Sequence, residues 1–256
     1  MPRFAANLTL LYTEHEFLDR LEAAARDGFT AVEILFPYEF DADDVATRLR
    51  AHGLEAVLIN APPGDWAAGE RGLAALPGRE AEFRAGLEHA MSYARAIACP
   101  RIHIMSGIAD ANARDLWIAN LRWAAERAAN AYLALTIEPL NPRDMPGYFL
   151  RTQGQALELI EAVGAPNLGL QMDWYHCQIT EGDVTAKLKQ IHASGRLAHV
   201  QLASVPLRQE PIDGELRVEG LLELLDELGY TGWVGCEYRP RAGTREGLAW
   251  LKRWMP

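Results

Sequence analysis

The sequence has few cysteines, and the three present, Cys99, Cys177 and Cys236, are far apart and form no Cys-x-x-Cys pair. A disulfide framework needs an even and denser set, and a structural zinc site needs clustered thiolates, so neither is predicted. A secretory signal is also absent, because Met1–Leu10 lacks a basic region followed by an apolar stretch. Together these absences predict a cytoplasmic protein.

Long hydrophobic runs and an excess of positive charge are missing as well. No segment reaches the roughly 18 apolar residues needed to span a bilayer, so we expect no membrane partner. The 256 residues carry 25 Lys and Arg against 35 Asp and Glu, a net charge of −10. Because phosphate binding needs a basic surface, this balance argues against nucleic acid as a partner. The 49 % of hydrophobic residues is enough for a large core and excludes disorder.

What the sequence does have is a regular alternation of short apolar runs and longer amphipathic segments. Strands separated by helices pair in parallel, because a parallel return needs a crossover connection. Repeated along the whole chain, this alternation predicts an α/β protein with a single (β/α)8 TIM barrel spanning residues 1–256. No GxGxxG or GxxxxGK[ST] motif follows the first strand, which weakens the alternative of an open nucleotide-binding sheet. The predicted strands are Phe4–Leu10, Ala31–Leu35, Glu55–Asn60, Arg101–Met105, Leu133–Glu138, Leu168–Asp173, Ala198–Leu202 and Trp233–Tyr238.

Local patterns mark several helix ends. The segment Thr13–Glu16 has the pattern of a capping box, and Asp41 is a candidate cap for the second helix. One connection, Ala61–Gly78, is too long for a simple turn, and its aromatic and apolar content favours an ordered lid. Glycines that end helices are predicted at Gly28, Gly53, Gly164 and Gly229.

The chemistry is expected where the strands end, because the active sites of α/β barrels form at the carboxyl ends of their strands. Four consecutive strands carry an oxygen-bearing side chain there: Glu138, Asp173, Gln201 and Glu237. Each alone could be an ion pair or a helix cap, but they recur about one repeat apart. Three carboxylates at one mouth repel each other unless a cation lies between them. Oxygen ligands favour a hard divalent ion, Mg²⁺ or Mn²⁺, over zinc.

Further polar residues are expected around this site. His176 follows Asp173 by three positions and is placed to contact a substrate oxygen. His103, inside the fourth strand, either faces the mouth or is a satisfied core histidine. Glu33 is expected to reach the mouth from the second strand. Arginines can clamp a carboxylate through two hydrogen bonds, which makes those in the long loop and after the seventh strand candidates. The substrate-binding candidates are Asn60, Glu70, Arg71, His103, His176 and Arg208.

Several of these segments resemble the hydroxypyruvate isomerase family within the xylose isomerase-like TIM barrels. The likeness runs nearly end to end, and its most specific parts are Gly64–Gly72, the following Pro77–Glu80, and Ile137–Asn141. The resemblance implies an isomerase that interconverts hydroxypyruvate and tartronate semialdehyde through an enediolate, with Mg²⁺ or Mn²⁺ as cofactor. It also implies that Glu138 and Glu237 are the proton-transfer pair. The ligand set that it implies is Glu138, Asp173, Gln201 and Glu237.

The chain departs from the family pattern at Arg239, where relatives often carry Lys, and around Arg208 and Met105–Gly107. The expected partner is a small hydroxy or oxo acid, and the alternatives are a 2-oxo-tetronate, a longer sugar acted on by an epimerase, or a non-catalytic sugar-acid-binding barrel. An endonuclease IV type repair enzyme is disfavoured by Gln201 in place of a histidine ligand and by the net charge of −10. Four tryptophans either offer apolar surface for a homo-oligomer or pack between helices and barrel: Trp117, Trp123, Trp250 and Trp254.

Overall fold

The computed structural model describes residues 1–255, and its centre is a closed barrel of eight parallel strands in sequence order. The last strand pairs in parallel with the first, so the sheet has no free edge. Helices lie between successive strands and cover the outside of the barrel. The predicted (β/α)8 TIM barrel is confirmed.

All eight predicted strands are present, although most end earlier than expected. At the mouth the chain leaves the hydrogen-bonded ladder while its side chains stay buried, as with Leu8 after the first strand and Tyr238 after the last. The run of apolar residues therefore continues past the end of the strand, and a prediction based on hydrophobic pattern alone places the strand end too late. The strands are β1 Arg3–Asn7, β2 Ala31–Ile34, β3 Glu55–Asn60, β4 Arg101–His103, β5 Ala134–Ile137, β6 Leu168–Asp173, β7 Leu197–Leu202 and β8 Trp233–Cys236.

Amphipathic helices supply the outer layer, and their apolar faces pack against the strands. Two short 3₁₀ helices, Ala111–Ala113 and Leu248–Arg253, accompany them. The α-helices are α1 Phe17–Arg26, α2 Ala42–Ala51, α3 Glu80–Ala96, α4 Arg114–Ala129, α5 Gln153–Val163, α6 Trp174–Thr180, α7 Val184–Ala193, α8 Val218–Glu227 and α9 Thr244–Gly247. Among the described residues, no helix combines the length and the apolar character that crossing a membrane requires.

The predicted helix ends are confirmed with one exception. The Asp41 carboxylate caps α2 by accepting the backbone N–H groups of Asp43 and Asp44. The capping box at Thr13–Glu16 is wrong, because α1 begins at Phe17 without a side-chain cap. Glu14 instead accepts the backbone N–H of Thr244, so this segment ties the first loop of the mouth to the last. The four predicted helix-ending glycines, Gly28, Gly53, Gly164 and Gly229, all have positive φ.

The four tryptophans belong to the core of this chain. Trp117 and Trp254 are buried, and Trp123 and Trp250 are partly buried against the same apolar cluster. Packing between helices and barrel therefore accounts for them, and they give no argument for a subunit contact.

Candidate active site

The carboxyl ends of the strands surround a cavity of about 490 Å³. A barrel brings the ends of all its strands to one rim, so residues that are far apart in sequence meet there. Trp66, from the long loop after β3, and Arg239, after β8, also line this cavity. Six of the predicted site residues line it: Asn60, His103, Glu138, His176, Arg208 and Glu237.

The other four predicted site residues do not line the cavity. Asp173 and Gln201 are almost completely buried among the inward-facing side chains of β6 and β7. In the long loop, Arg71 stacks its guanidinium on the Trp66 ring at 3.8 Å, and Glu70 pairs with Arg79 at 2.6 Å. The structure therefore gives Glu70 and Arg71 roles in holding the loop and does not bring them to the cavity wall.

Three carboxylates converge on the mouth from β5, β6 and β8. A single arginine nitrogen, Nη2 of Arg208, lies 2.7 Å from Glu237 Oε1 and 3.4 Å from Asp173 Oδ2. The other oxygen of Asp173 accepts the backbone N–H of Tyr175 at 2.7 Å and so caps α6. Arg208, which lies in the loop after β7, thus neutralises part of the negative charge of these carboxylates.

The pKa values of the three carboxyl groups, Glu138, Asp173 and Glu237, are all raised. Burial raises the pKa of Glu138, and the neighbouring Glu237 and Asp173 raise it further. Burial also raises the pKa of Glu237, to about 8, although Arg208 opposes that rise. The pKa of Asp173 rises to about 6 by burial, again against Arg208. Because one guanidinium does not offset three buried carboxylates, the site favours binding of a further cation or a proton.

The donor set fits a hard divalent ion. Glu138 Oε2 accepts a hydrogen bond from Gln171 at 3.1 Å, whereas the buried Glu138 Oε1 has no hydrogen-bond partner among residues 1–255. Potential ligand atoms of Glu138, Asp173 and His176 lie within 4.8 Å of one another. An unpartnered buried carboxylate oxygen beside a second carboxylate is the donor arrangement that Mg²⁺ or Mn²⁺ prefers.

His176 is better placed to donate a hydrogen bond than to ligate an ion. The backbone N–H of Asn141 donates to His176 Nδ1 at 3.1 Å, and the Asn141 amide nitrogen lies 2.7 Å from the same atom. The orientation of that amide is fixed because its oxygen accepts the backbone N–H of Asp144. His176 Nδ1 is therefore an acceptor, and the ring proton is on Nε2. Burial lowers the pKa of His176 well below its ordinary value, so the ring is neutral.

In His103 the roles of the two ring nitrogens are the reverse of those in His176. Its Nδ1 shares a hydrogen bond of 3.2 Å with the side-chain oxygen of Asn60, and an oxygen here can only accept. His103 Nε2 is consequently an acceptor, and in the described part of the chain this buried atom has no hydrogen-bond partner. Burial lowers the pKa of His103 to about 3. Of the two alternatives for His103, the structure favours the one in which it faces the mouth, since the residue lines the cavity.

The structure adds polar residues that the sequence analysis did not single out. Gln171 lies two residues before Asp173 and therefore on the same face of β6. Its amide nitrogen donates to both Glu138 and Gln201, at 3.1 and 2.7 Å. His199, on β7, contacts Glu33 in the barrel interior. The available signal was a polar residue inside an otherwise apolar strand, at even spacing from a predicted site residue.

Arg239 is the other addition, since the sequence marked it only as a departure from the family pattern. Within residues 1–255 it forms no ion pair, and its exposed side chain lines the cavity. Its backbone N–H donates to the carbonyl of Arg208 at 2.9 Å, which fixes the two arginines side by side at the mouth. Arg208 is engaged by carboxylates, so Arg239 is the guanidinium that remains open to an anion.

Comparison with known proteins agrees with this architecture. A family model described as the xylose isomerase-like TIM barrel matches residues 21–254. A 2-oxo-tetronate isomerase of Cupriavidus necator is 55 % identical over 260 residues, covering 100 % of this chain and 99 % of that protein. The hydroxypyruvate isomerase of Escherichia coli is 42 % identical over 256 residues, covering 98 % of each.

Among solved structures, a family 2 AP endonuclease from Brucella melitensis superposes with a TM-score of 0.97 at 49 % identity, covering 100 % of both chains. A 3-keto-D-glucoside 4-epimerase from Escherichia coli, at 20 % identity and a TM-score of 0.82, shares the fold. By the family match and the full-length identities, the chain belongs to the xylose isomerase-like TIM barrel family and is an enzyme of its isomerase group.

Proposed function

We propose that this protein is a metal-dependent isomerase that moves a carbonyl group between neighbouring carbons of a small hydroxy-oxo acid. The observation that carries the proposal is the pair Glu138 and Glu237, two buried glutamates with raised pKa values at the ends of β5 and β8. Carboxyl groups with pKa values closer to neutrality exchange protons more effectively than ordinary glutamates do. The names of the relatives, hydroxypyruvate isomerase and 2-oxo-tetronate isomerase, support the same reaction class.

The chemistry requires a proton to leave one carbon and another to arrive on its neighbour. One glutamate removes the proton from the carbon that bears the hydroxyl group, which gives an enediolate. The proton of the substrate hydroxyl passes to the former carbonyl oxygen, and the other glutamate, acting as the acid, protonates the adjacent carbon, so the carbonyl has moved by one position and no atom is lost. Proton exchange with solvent then returns both glutamates to their starting protonation states. A divalent ion held by Glu138, Asp173, Gln201 and Glu237 would stabilise the negative charge that develops on the two substrate oxygens.

Two neutral histidines that line the cavity, His103 and His176, would orient the substrate. His176 offers an N–H donor for a substrate oxygen, and His103 offers a lone pair for a substrate hydroxyl. Because both rings are buried and neutral, they fix the orientation without competing for the proton that Glu138 and Glu237 exchange.

The substrate carboxylate needs a positive charge at the mouth, since the net charge of −10 repels an anion. Arg208 and Arg71 are the arginines predicted from the sequence for this role. Arg71 is held on Trp66 outside the cavity lining, and Arg208 is shared between Glu237 and Asp173. We assign the carboxylate to Arg239, with Arg208 beside it.

Hydroxypyruvate and a 2-oxo-tetronate are the two candidate substrates. The cavity of about 490 Å³ leaves room for the fourth carbon of a tetronate and its hydroxyl group. Thr9 and Thr13, which also line it, offer hydroxyl partners for that extension. These observations favour the four-carbon acid over hydroxypyruvate. The net charge of −10 argues against a DNA-repair activity, because binding to a phosphate backbone requires a basic surface.

The test is an isomerase assay of the purified protein on hydroxypyruvate and on both enantiomers of 2-oxo-tetronate, with and without Mg²⁺ or Mn²⁺. Proton NMR in D₂O follows the reaction, because a proton-transfer mechanism introduces deuterium at the carbon that is reprotonated. We expect turnover with metal and solvent deuterium in the product. Tight binding of these acids without turnover or exchange would overturn the proposal in favour of a binding barrel.

A further inference from the structure

A second group of polar side chains lies inside the barrel, behind the carboxylates of the mouth. Its centre is Glu33 on β2, which is completely buried. Glu33 Oε2 accepts from Asn7 Nδ2 at 3.1 Å and from Gln201 Nε2 at 2.9 Å, while Glu33 Oε1 contacts His199 Nε2. The Asn7 amide is fixed in this orientation because its oxygen accepts the backbone N–H of Thr9.

The barrel is shaped to hold this carboxylate. On β8, Gly235 lies between its register partners Ala5 of β1 and Gln201 of β7. A Cβ atom at position 235 would overlap with the carboxylate of Glu33. The absence of a side chain at Gly235 therefore creates the space that the completely buried carboxylate of Glu33 occupies.

Glu33 determines the orientation of the Gln201 amide, which has an acceptor end and a donor end. A carboxylate oxygen accepts hydrogen bonds and does not donate them, so Glu33 Oε2 attracts the nitrogen of the amide and repels its oxygen. The oxygen of Gln201 is thereby turned to the opposite side, where it accepts from Gln171 Nε2 at 2.7 Å. The same Gln171 nitrogen donates to Glu138 Oε2, so the Gln201 oxygen lies on the Glu138 side.

Resting on the proposed function, in which Gln201 is a ligand of the divalent ion, we infer that Glu33 is a positioning residue that fixes the Gln201 amide with its oxygen towards Glu138. Only the oxygen end of an amide binds a hard cation. Without an acceptor-only partner behind it, the amide can turn its N–H₂ group towards the ion and lose the ligand. Partners behind a metal ligand commonly contribute about 10–100-fold to metal affinity.

The experiment is a Mn²⁺ titration of the full-length protein, with free Mn²⁺ measured by electron paramagnetic resonance and Tm measured in EDTA. Glu33→Gln offers either amide end to Gln201, and Glu33→Asp keeps the negative charge but withdraws it from contact. We expect both variants to weaken Mn²⁺ binding by about 10–100-fold. The double variant E33Q/Q201E exchanges carboxylate and amide, and since a carboxylate ligand has no wrong end, its affinity should return to within about threefold of wild type.

The control is Asn167→Ala, which removes two hydrogen bonds at the start of β6, opposite the mouth, and should leave Mn²⁺ affinity unchanged. Unchanged affinity in both folded Glu33 variants, with only a lower Tm, would show a purely structural role and overturn the inference. Wild-type affinity in Glu33→Asp with loss in Glu33→Gln would replace positioning by a simple charge effect. If one variant fails to fold, the other and the double variant carry the comparison. Absence of Mn²⁺ binding by the wild-type protein would overturn the metal proposal as well.

Discussion

Arg208 donates a hydrogen bond to Glu237 at 2.7 Å at the mouth of the barrel, between the loops that follow the neighbouring strands β7 and β8 and are separated in sequence by the whole of α8 and β8. Arg208 has a positive φ of 54°, and its carbonyl accepts the backbone N–H of Arg239. The loop after β7 is thereby held against the residue that follows Glu237 and Tyr238. This contact favours the ionised form of Glu237, the form that either glutamate of the proposed proton-transfer pair needs when it accepts a proton.

The two glutamates should be essential for turnover and dispensable for folding. We expect Glu138→Gln and Glu237→Gln each to lower kcat by about 10²–10⁴-fold, the usual contribution of acid–base catalysis. Each also removes a buried carboxylate from a crowded site, so Tm in EDTA should stay level or rise. Glu55→Gln, at the exposed start of β3, is the matched control. Near-normal kcat in either variant, measured by the NMR assay, would contradict the proton-transfer assignment.

Arg239 should control the binding of the acid group. Loss of a charged hydrogen-bond partner typically costs about 1.5–3 kcal/mol, so Arg239→Gln should raise KM for the acid about 10–100-fold with little change in kcat. Arg239→Lys keeps the charge and should recover most of the affinity. Steady-state kinetics at low ionic strength make the comparison. The assignment fails if KM in Arg239→Gln equals that of the wild-type protein.

His176 should carry its proton on Nε2. Two donors from Asn141 face Nδ1, which leaves Nε2 as the only protonated nitrogen of the neutral ring. Long-range ¹H–¹⁵N NMR distinguishes the two nitrogens directly, and His176→Ala identifies the resonances. Asn141→Ala removes one of the two donors and should allow the other tautomer to appear. A protonated Nδ1 in the wild-type protein would contradict this assignment.

Removal of divalent metal should abolish activity and lower stability. An ion that binds only the folded state stabilises it by about 2.7 kcal/mol when present at one hundred times its Kd. After chelation and dialysis, Mg²⁺ or Mn²⁺ should restore kcat and raise Tm together, whereas K⁺ at matched ionic strength should do neither. Full activity after verified metal removal would refute the metal dependence.

The three cysteines should be unreactive in the native protein. All are buried, and burial raises the pKa of Cys99 and of Cys177 to about 12 and that of Cys236 well above its ordinary value. At pH 8 the reactive thiolate is therefore scarce as well as inaccessible. Ellman's reagent should label none of them in the folded state and all of them in guanidinium chloride. Rapid labelling of the native enzyme would contradict the burial.

The barrel could be predicted from the sequence, because the alternation of strand and helix is local and repeats along the whole chain. The sequence also indicated Glu138, Asp173, Gln201 and Glu237, because a polar residue at the end of an apolar strand needs a partner. The excess of acidic residues argues against nucleic acid as a partner for a reason that does not depend on the fold. The prediction of a capping box at Thr13–Glu16 was wrong, because α1 begins later, at Phe17. Glu14 instead accepts a hydrogen bond from Thr244, a residue near the other end of the chain.

How these residues act depends on contacts that form only in the folded barrel. Which nitrogen of His176 carries the proton depends on Asn141, and which end of the Gln201 amide faces Glu138 depends on Glu33. Likewise, Arg71 is held by Trp66 and Arg208 by two carboxylates, which leaves Arg239 open to an anion. Hydrogen bonds and ion pairs act over about 3–4 Å, and closure of the barrel brings together partners that no local pattern connects.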